Sequence, residues 1–293
     1  MRFMEIGQQL RAYRLESGLR AEEIAARLGV SRAALYRYEK GEVIKLDTIQ
    51  RLAELLKISP LSLLGIGVEY YSRPVGYFER LRQIEEGADQ ILQVVGPLCY
   101  LTSTDGYDAS LAAAFDEVAE QSGGDRAGLR ANSEQVLGIL SARKRSYATR
   151  RPGIIAMLPV AKIRQFLEQG VGAASVLTDR TRRMCRQAAA SELRHIGEMM
   201  EAEPMGLQFG LLPLGEPSSR FNILRAGDRA TLAINPFRTD TPPPAATGVA
   251  MITGADEAII AHQRAAETQW REAVKGAAGA AMIRELLAAH ALA

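Results

Sequence analysis

The sequence predicts a multidomain α and α/β protein: a five-helix unit over residues 1–68, followed by a larger α/β unit with a mixed sheet over residues 69–293. Three observations predict it. A chain of 293 residues is long enough for two domains that each bury their own core. The first part carries apolar residues at helical spacing in short runs, broken by glycines and caps. After it, helical stretches alternate with short apolar runs, as in an α/β domain.

The helices of the first unit follow in order. Over Met4–Ser17, Ile6, Leu10, Tyr13 and the stem of Arg14 share one face, and Gly18 supplies a C-terminal stop. Over Ala21–Leu28, Ile24 and Leu28 stand at i,i+4 with alanines between them, and Gly29 ends the run. Ser31 is a natural N-cap for the third helix, whose Leu35 and Tyr38 face inward. Asp47 or its neighbour opens a fourth helix with Ile49, Leu52, Leu55 and Leu56 apolar, and Ser59-Pro60 opens a fifth. The stretch Gly67–Gly76, "GVEYYSRPVG", breaks the pattern with Gly and Pro and reads as a linker.

Two short helices joined around a glycine form the helix-turn-helix pattern, in which the second helix enters the DNA major groove. Here that helix is "VSRAALYRYEKGE", Val30–Glu42, which sets Arg32, Tyr36, Arg37 and Lys40 among inward-facing residues. Charge agrees in sign: residues 1–68 hold 11 Lys/Arg against 8 Asp/Glu, leaving 25 against 26 for the remainder. The run "GLRAEEIAARLGVSRAALYRYEKGE", with "LDTIQRLAELLKIS" after it, resembles the lambda-repressor-like, or XRE, DNA-binding domain over about residues 4–66. The resemblance implies base-edge positions at Arg32, Ala33 and Arg37, with Tyr36 beside them. Arginine can donate two hydrogen bonds to guanine, whereas Ala33 could touch only a thymine methyl. It implies phosphate contacts at Ser31, Lys40 and Lys45, which position the protein without reading sequence. It also implies a structural ion pair between Arg14 and Glu39. The chain departs from the family at Arg20-Ala21, where Ser/Thr followed by Gln is common, and Arg20 is expected to substitute a phosphate contact.

In the second unit the strand candidates are Ile91–Gly96, Gly153–Val160, Ala174–Asp179, Leu207–Leu214, Phe221–Gly227, Ala230–Asn235 and Gly248–Thr253. Phe221–Asn235 reads as a hairpin turning at Gly227-Asp228. Helices are expected over Tyr77–Gln90, through most of residues 103–150 with a break at "SGGD", over Asp179–Ala202, and over Ala255–Gly276 with Trp270 as a core anchor. This order resembles the phospholipase-D-like α/β fold over about residues 76–275, a fold that serves as an effector domain in several regulators. Catalytic members of that family need an HxK signature. His195, His262 and His290 stand as "HIG", "HQR" and "HAL", so the resemblance does not extend to phosphodiester hydrolysis.

No GxSxG, P-loop or GxGxxG occurs, and three scattered histidines make neither a triad nor a metal cluster, so no catalytic residue, metal or cofactor is expected. Cys99 and Cys185 form no metal or redox spacing and read as reduced core thiols of a cytoplasmic protein, and no apolar run is long enough to span a membrane. Polar residues at the strand ends, Arg220, Asn222, Arg225, Asn235 and Arg238, could hold a small anionic effector. These readings point to a homodimeric transcriptional regulator, a repressor for example, that binds a double-stranded operator. Its residues 69–293 would dimerise and sense a ligand. An antitoxin-type repressor with a protein partner and a DNA-targeted enzyme are the alternatives.

Overall fold

The computed structural model describes residues 3–122, 124–170, 176–214, 220–239 and 247–291. The first unit is five helices: α1 (Phe3–Ser17), α2 (Ala21–Leu28), α3 (Arg32–Glu39), α4 (Leu46–Leu56) and α5 (Pro60–Leu63). Their apolar faces meet at Leu10, Ile24, Leu35, Leu52 and Leu63, all fully buried. Each such side chain contributes roughly 1.5–3 kcal/mol of transfer free energy. Gly29 ends α2 in the left-handed conformation its missing Cβ permits. The Ser31 hydroxyl accepts the Ala34 N–H at 3.1 Å at the start of α3, and Ser59 caps α5 in the same way. At α4 the expectation shifts by two residues: Lys45 is the N-cap, without a side-chain hydrogen bond, and Asp47 sits in the first turn.

The remainder is a mixed sheet with helices on both faces. After β1 (Val68–Tyr71) come α6 (Pro74–Glu85), β2 (Gln90–Val94), α7 (Asp105–Gln121), α8 (Arg126–Arg150), β3 (Gly153–Pro159), α9 (Val160–Gln169) and α10 (Asp179–Ala202). Then follow β4 (Leu207–Leu212), β5 (Phe221–Ala226), β6 (Arg229–Ile234), β7 (Ala250–Thr253), α11 (Asp256–Glu272), β8 (Val274–Lys275) and α12 (Gly276–Ala291). The strand order is β1-β7-β6-β5-β2-β3-β4-β8. β2, β3 and β4 run parallel to one another and every other pairing is antiparallel. Alternation along the strands separates two cores. Ile91, Ile154, Ala156, Phe209, Leu211 and Leu224 face the larger one, which is continuous with the helical unit. Val94, Met157, Phe221, Ile223 and Leu232 face a smaller one under Ile259 and Ala266 of α11. Trp270 packs there too, its ring filling the space that a side chain at Gly210 would occupy.

Two sequence expectations change. The stretch read as a linker is instead strand β1, paired with β7, followed by α6 with Pro74 at its first position. Gly and Pro punctuate it, yet Glu69 is buried and held by Arg80, and Tyr71 is fully buried, so the segment is part of the core. The run at 174–179 is no strand in its described part: Val176 and Leu177 are irregular, and Thr178 caps α10, with residues 174 and 175 outside the described residues. The sheet position is filled instead by β4, after α10. The helical insert at 103–150 packs onto the molecule through α8 against α6 and α7 against α10. The expected hairpin is present, with Gly227 at positive φ in its turn. Both cysteines are buried thiols. Among the described residues, no helix is long and apolar enough to cross a membrane.

The helical unit is seated on the sheet unit through α1 and α6. Tyr13 stacks on Tyr71 with centroids 5.3 Å apart. The Glu16 carboxylate accepts the N–H groups of Ser72 and Arg73 at the start of α6, at 2.6 and 3.1 Å. In return Arg73 Nη1 donates to the Leu15 carbonyl at 3.2 Å. Gln9 donates to Glu69 at 2.6 Å, and Arg11 pairs with Glu79 at 2.8 Å. The chain entering α6 and the carbonyls near the end of α1 thus satisfy part of each other's hydrogen-bonding capacity.

Candidate nucleic-acid interface

Helix α3 divides cleanly by period. Ala34, Leu35 and Glu39 are buried, while Arg32, Ala33 and Arg37 are exposed and Tyr36 lies half-buried between them. Positions 32, 33, 36 and 37 share one face of a helix, and Lys40 follows at the C-cap. Both arginines are engaged in the free protein. Arg32 Nη1 lies 2.7 Å from a Glu22 oxygen, Nη2 donates to the Tyr36 hydroxyl at 3.3 Å, and the guanidinium sits 5.3 Å from the Tyr36 ring centroid. Arg37 Nε donates to Glu42 at 2.7 Å. These are exposed pairs of the kind worth at most about 1 kcal/mol, so a groove edge can displace them.

The residues around this face occupy helix ends. Ser31 is the N-cap of α3, Lys45 is the N-cap of α4, and Arg20 is the N-cap of α2, all three exposed. The Arg20 backbone N–H donates to Glu23 at 2.8 Å, which leaves the Arg20 side chain outside the cap. Behind the face, Arg14 donates to both Glu39 oxygens, at 2.5 and 3.0 Å. This is the ion pair expected between the first and third helices, and it fixes α3 against α1. Burial works against the Arg14 charge, yet the Glu39 carboxylate outweighs it and raises the Arg14 pKa. One support was not read from the sequence: Arg51 Nη2 donates to the Leu28 carbonyl at 3.1 Å, tying α4 to the end of α2.

The five residues expected around an effector do not all converge. Arg220, Asn222 and Asn235 line one cleft where β5 begins and β6 ends. The Asn235 N–H donates to the Arg220 carbonyl at 2.8 Å, and its side-chain oxygen accepts the Phe237 N–H at 2.8 Å, so Asn235 shapes the rim. Arg225 stands at the opposite end of β5 and donates to Gln263 of α11. Arg238 follows the rim segment and is not among the residues that line the cleft. Two side chains missed in the sequence do line it: Gln93 of β2 and Arg143 of α8. Among the described residues no group of acidic, histidine and cysteine side chains is arranged to hold a metal ion.

Residues 5–63 match the family model described as a helix-turn-helix domain. A candidate HTH-type transcriptional regulatory protein of Pyrococcus horikoshii is 32% identical over 123 residues, and the match spans 38% of this chain and 38% of that protein. The solved structure of TrmBL2, described as an archaeal chromatin protein with a novel mode of DNA binding, aligns over 78% of this chain and 62% of its own. Its identity is 9% and its TM-score 0.32, a likeness too slight to transfer anything.

Proposed function

We propose that the chain is a sequence-specific, DNA-binding transcriptional regulator of the XRE type. Residues 1–68 read the DNA, and residues 69–293 dimerise and sense a small anionic effector. The observation that carries the reading is the composition of the exposed face of α3 within a matched helix-turn-helix domain: Arg32, Ala33, Tyr36, Arg37 and Lys40, with Arg20, Ser31 and Lys45 at neighbouring helix ends. In this reading Arg32 and Arg37 read guanine edges, with Tyr36 beside them, and Arg20, Ser31, Lys40 and Lys45 hold phosphates.

An eight-residue helix with two reading arginines discriminates only a few base pairs, each worth about 1–3 kcal/mol, which is small against the number of competing sites in a genome. A second copy on a half-site about 34 Å away doubles the readout, and this favours a homodimer. The effector would act through the seating of α1 on α6, since the Tyr13–Tyr71 and Glu16–Ser72 contacts join the reading unit to the sheet that carries the cleft. A few kcal/mol of differential affinity between two such seatings is roughly enough to switch occupancy. The phospholipase-D-like likeness stays part of this proposal, as a non-catalytic effector scaffold.

The test is to sequence genomic fragments retained by the purified protein at near-physiological salt. Enrichment of a few sites sharing a two-fold symmetric motif supports the reading. Retention without a motif removes sequence specificity from it, and retention of nothing removes DNA binding by the free protein.

A further inference from the structure

The cleft at the carboxyl end of β2 has the makings of a ligand site. It lies between Val95–Leu98, the start of β5, the segment after β6, and helices α6 and α8. Among the described residues no Asp or Glu lines it, whereas Gln93, Arg143, Arg220, Asn222 and Asn235 do. β2 is the strand at which the parallel pairing with β3 gives way to antiparallel pairing with β5, so its carboxyl end meets the start of β5 at the cleft.

Two of these groups are buried with unmet hydrogen-bonding capacity. Arg143 is 6% exposed, with its guanidinium 5.5 Å from the Phe78 ring centroid and 6.0 Å from that of Tyr100. Its Nε and Nη2 donate to the Glu85 carboxylate, each at 2.8 Å, and Nη1 has no partner. Asn222 is 7% exposed and stands directly across from Gln93 in the antiparallel register, so both amides project from one face of the sheet. The Asn222 amide lies beside the Tyr77 hydroxyl, yet neither its side-chain oxygen nor that hydroxyl completes a hydrogen bond, while Gln93 donates to Cys99 Sγ at 2.8 Å. Buried polar atoms without partners are rare in folded proteins and costly, so a donor and an acceptor left open in one cleft ask for a molecule that meets both.

The unmet donor belongs to a cation and calls for an anionic acceptor, and the unmet acceptor calls for a neutral donor, because Arg143 and Arg220 make the described lining cationic and ill-suited to an ammonium group. The cleft volume of about 60 Å³ sets the size. Since about 10–15 Å³ of such space admits one water, it holds roughly four to six non-hydrogen atoms. Phe78, Tyr100 and Phe237 supply an apolar wall for a short carbon chain.

The geometry points to a binding site for a small hydroxycarboxylate. Its carboxylate takes Arg143 Nη1, its hydroxyl donates to the Asn222 oxygen, and its carbon chain rests on the aromatic wall. The site rests on the effector-sensing part of the proposed function and gives the effector its chemical class. It also departs from the five residues singled out in the sequence, replacing Arg225 and Arg238 with Gln93 and Arg143.

The experiment is calorimetric titration of the full chain, without DNA, with glycolate, lactate, propionate, 1,2-propanediol, alanine and inorganic phosphate. Saturable binding of glycolate or lactate is expected, at least about tenfold tighter than propionate, which lacks the hydroxyl, and propanediol, which lacks the carboxylate. Asn222→Leu removes the acceptor and should weaken lactate about tenfold or more. Asn222→Asp sets a carboxylate against the ligand and should abolish binding. The probe series on the unaltered chain decides even where a variant fails to fold. No saturable binding of either hydroxy acid overturns the proposal and assigns the open atoms to water. Equal binding of propionate, propanediol or phosphate overturns it too, as does tighter binding of alanine. Because no DNA is present, a failure here leaves the DNA-reading result untouched, and the reverse holds as well.

Discussion

Arg32 of α3 and Glu22 of α2 form a 2.7 Å ion pair across the turn of the helix-turn-helix, both side chains more than half exposed. The arrangement holds the guanidinium in place in the free protein, and it also adds a negative charge to the face proposed to meet DNA. Pairs this exposed contribute about 0.2–1 kcal/mol, less than a guanine edge offers. Glu22→Gln is therefore expected to tighten DNA binding about two- to fivefold, and the gain should shrink as salt rises. Fluorescence anisotropy on a retained fragment measures it. Weaker binding in the variant would show instead that Glu22 keeps Arg32 aimed in the complex.

Arg37 differs from Arg32 in its restraint, since Glu42 belongs to the loop after α3 and leaves the guanidinium on the outer face. Arg37→Ala is expected to cost about 1–3 kcal/mol on the preferred site and to relax preference at one base pair. Binding selections with a randomised site read both effects. A uniform loss over all sequences would move Arg37 from base reading to phosphate contact.

In the Arg14–Glu39 pair Glu39 is buried and Arg14 largely so, which makes the two halves costly to remove independently. Glu39→Ala leaves the Arg14 charge without its partner and is expected to destabilise the helical unit by about 3–5 kcal/mol. The double replacement Arg14→Met with Glu39→Leu should recover most of that loss, because an apolar pair of similar volume carries no desolvation cost. Urea unfolding of the three proteins measures the cycle. Equal stability of the single and double variants would show that packing, not charge, sets the cost.

The helix-turn-helix was legible because its signals are local. Ser31, Gly29 and the i,i+4 spacing all act within one turn of the chain. Strand β1 was not, because Gly67 and Pro74 imitate a linker while the groups that bury it are distant: Glu69 is satisfied by Gln9 and Arg80, from two different helices. That only three of the five residues read around an effector share one cleft has the same origin. Arg143 is one of several arginines on the long helix α8, and only its partner Glu85, 58 positions away, marks it as the buried one. In the strand Asn222 lies on the face opposite Phe221 and Ile223, and Arg225 lies at the far end of the same strand, a separation that grouping the polar strand-end residues did not take into account.

The contact between α1 and α6 should respond to acid. Burial opposes ionisation of Glu79, yet Arg82 donates to it and the Arg11 charge lies 2.8 Å away, which together hold its carboxyl below the usual range. A depressed folded-state pKa means stability that is present above the unfolded value, about 4.3, and is lost as pH falls through the folded one. The difference in urea midpoint between the wild type and Glu79→Gln is thus expected to be largest near neutral pH and to shrink below about pH 4. A constant difference down to pH 3 would assign the effect to packing.

Gly76 tests whether the reading unit and the sheet unit act as one body. It lies in the first turn of α6, where a Cβ would stand 2.8 Å from Glu16 Cβ and 3.0 Å from Glu16 Cα. A side-chain oxygen can swing aside, but a Cα cannot move without the helix that carries it. Gly76→Ala gains about 1 kcal/mol of helix propensity and still faces an overpacking cost of typically 1–3 kcal/mol, so α1 is expected to lift from α6. Hydrogen exchange reports it directly. The Ser72 and Arg73 amides, which donate to Glu16, should lose protection, while amides within α2 and α3 keep theirs. Loss throughout α1 to α5 would mean that the five helices depend on the sheet for their stability. Unchanged protection at Ser72 would mean that the two helices slide past the added methyl and that the seating tolerates adjustment.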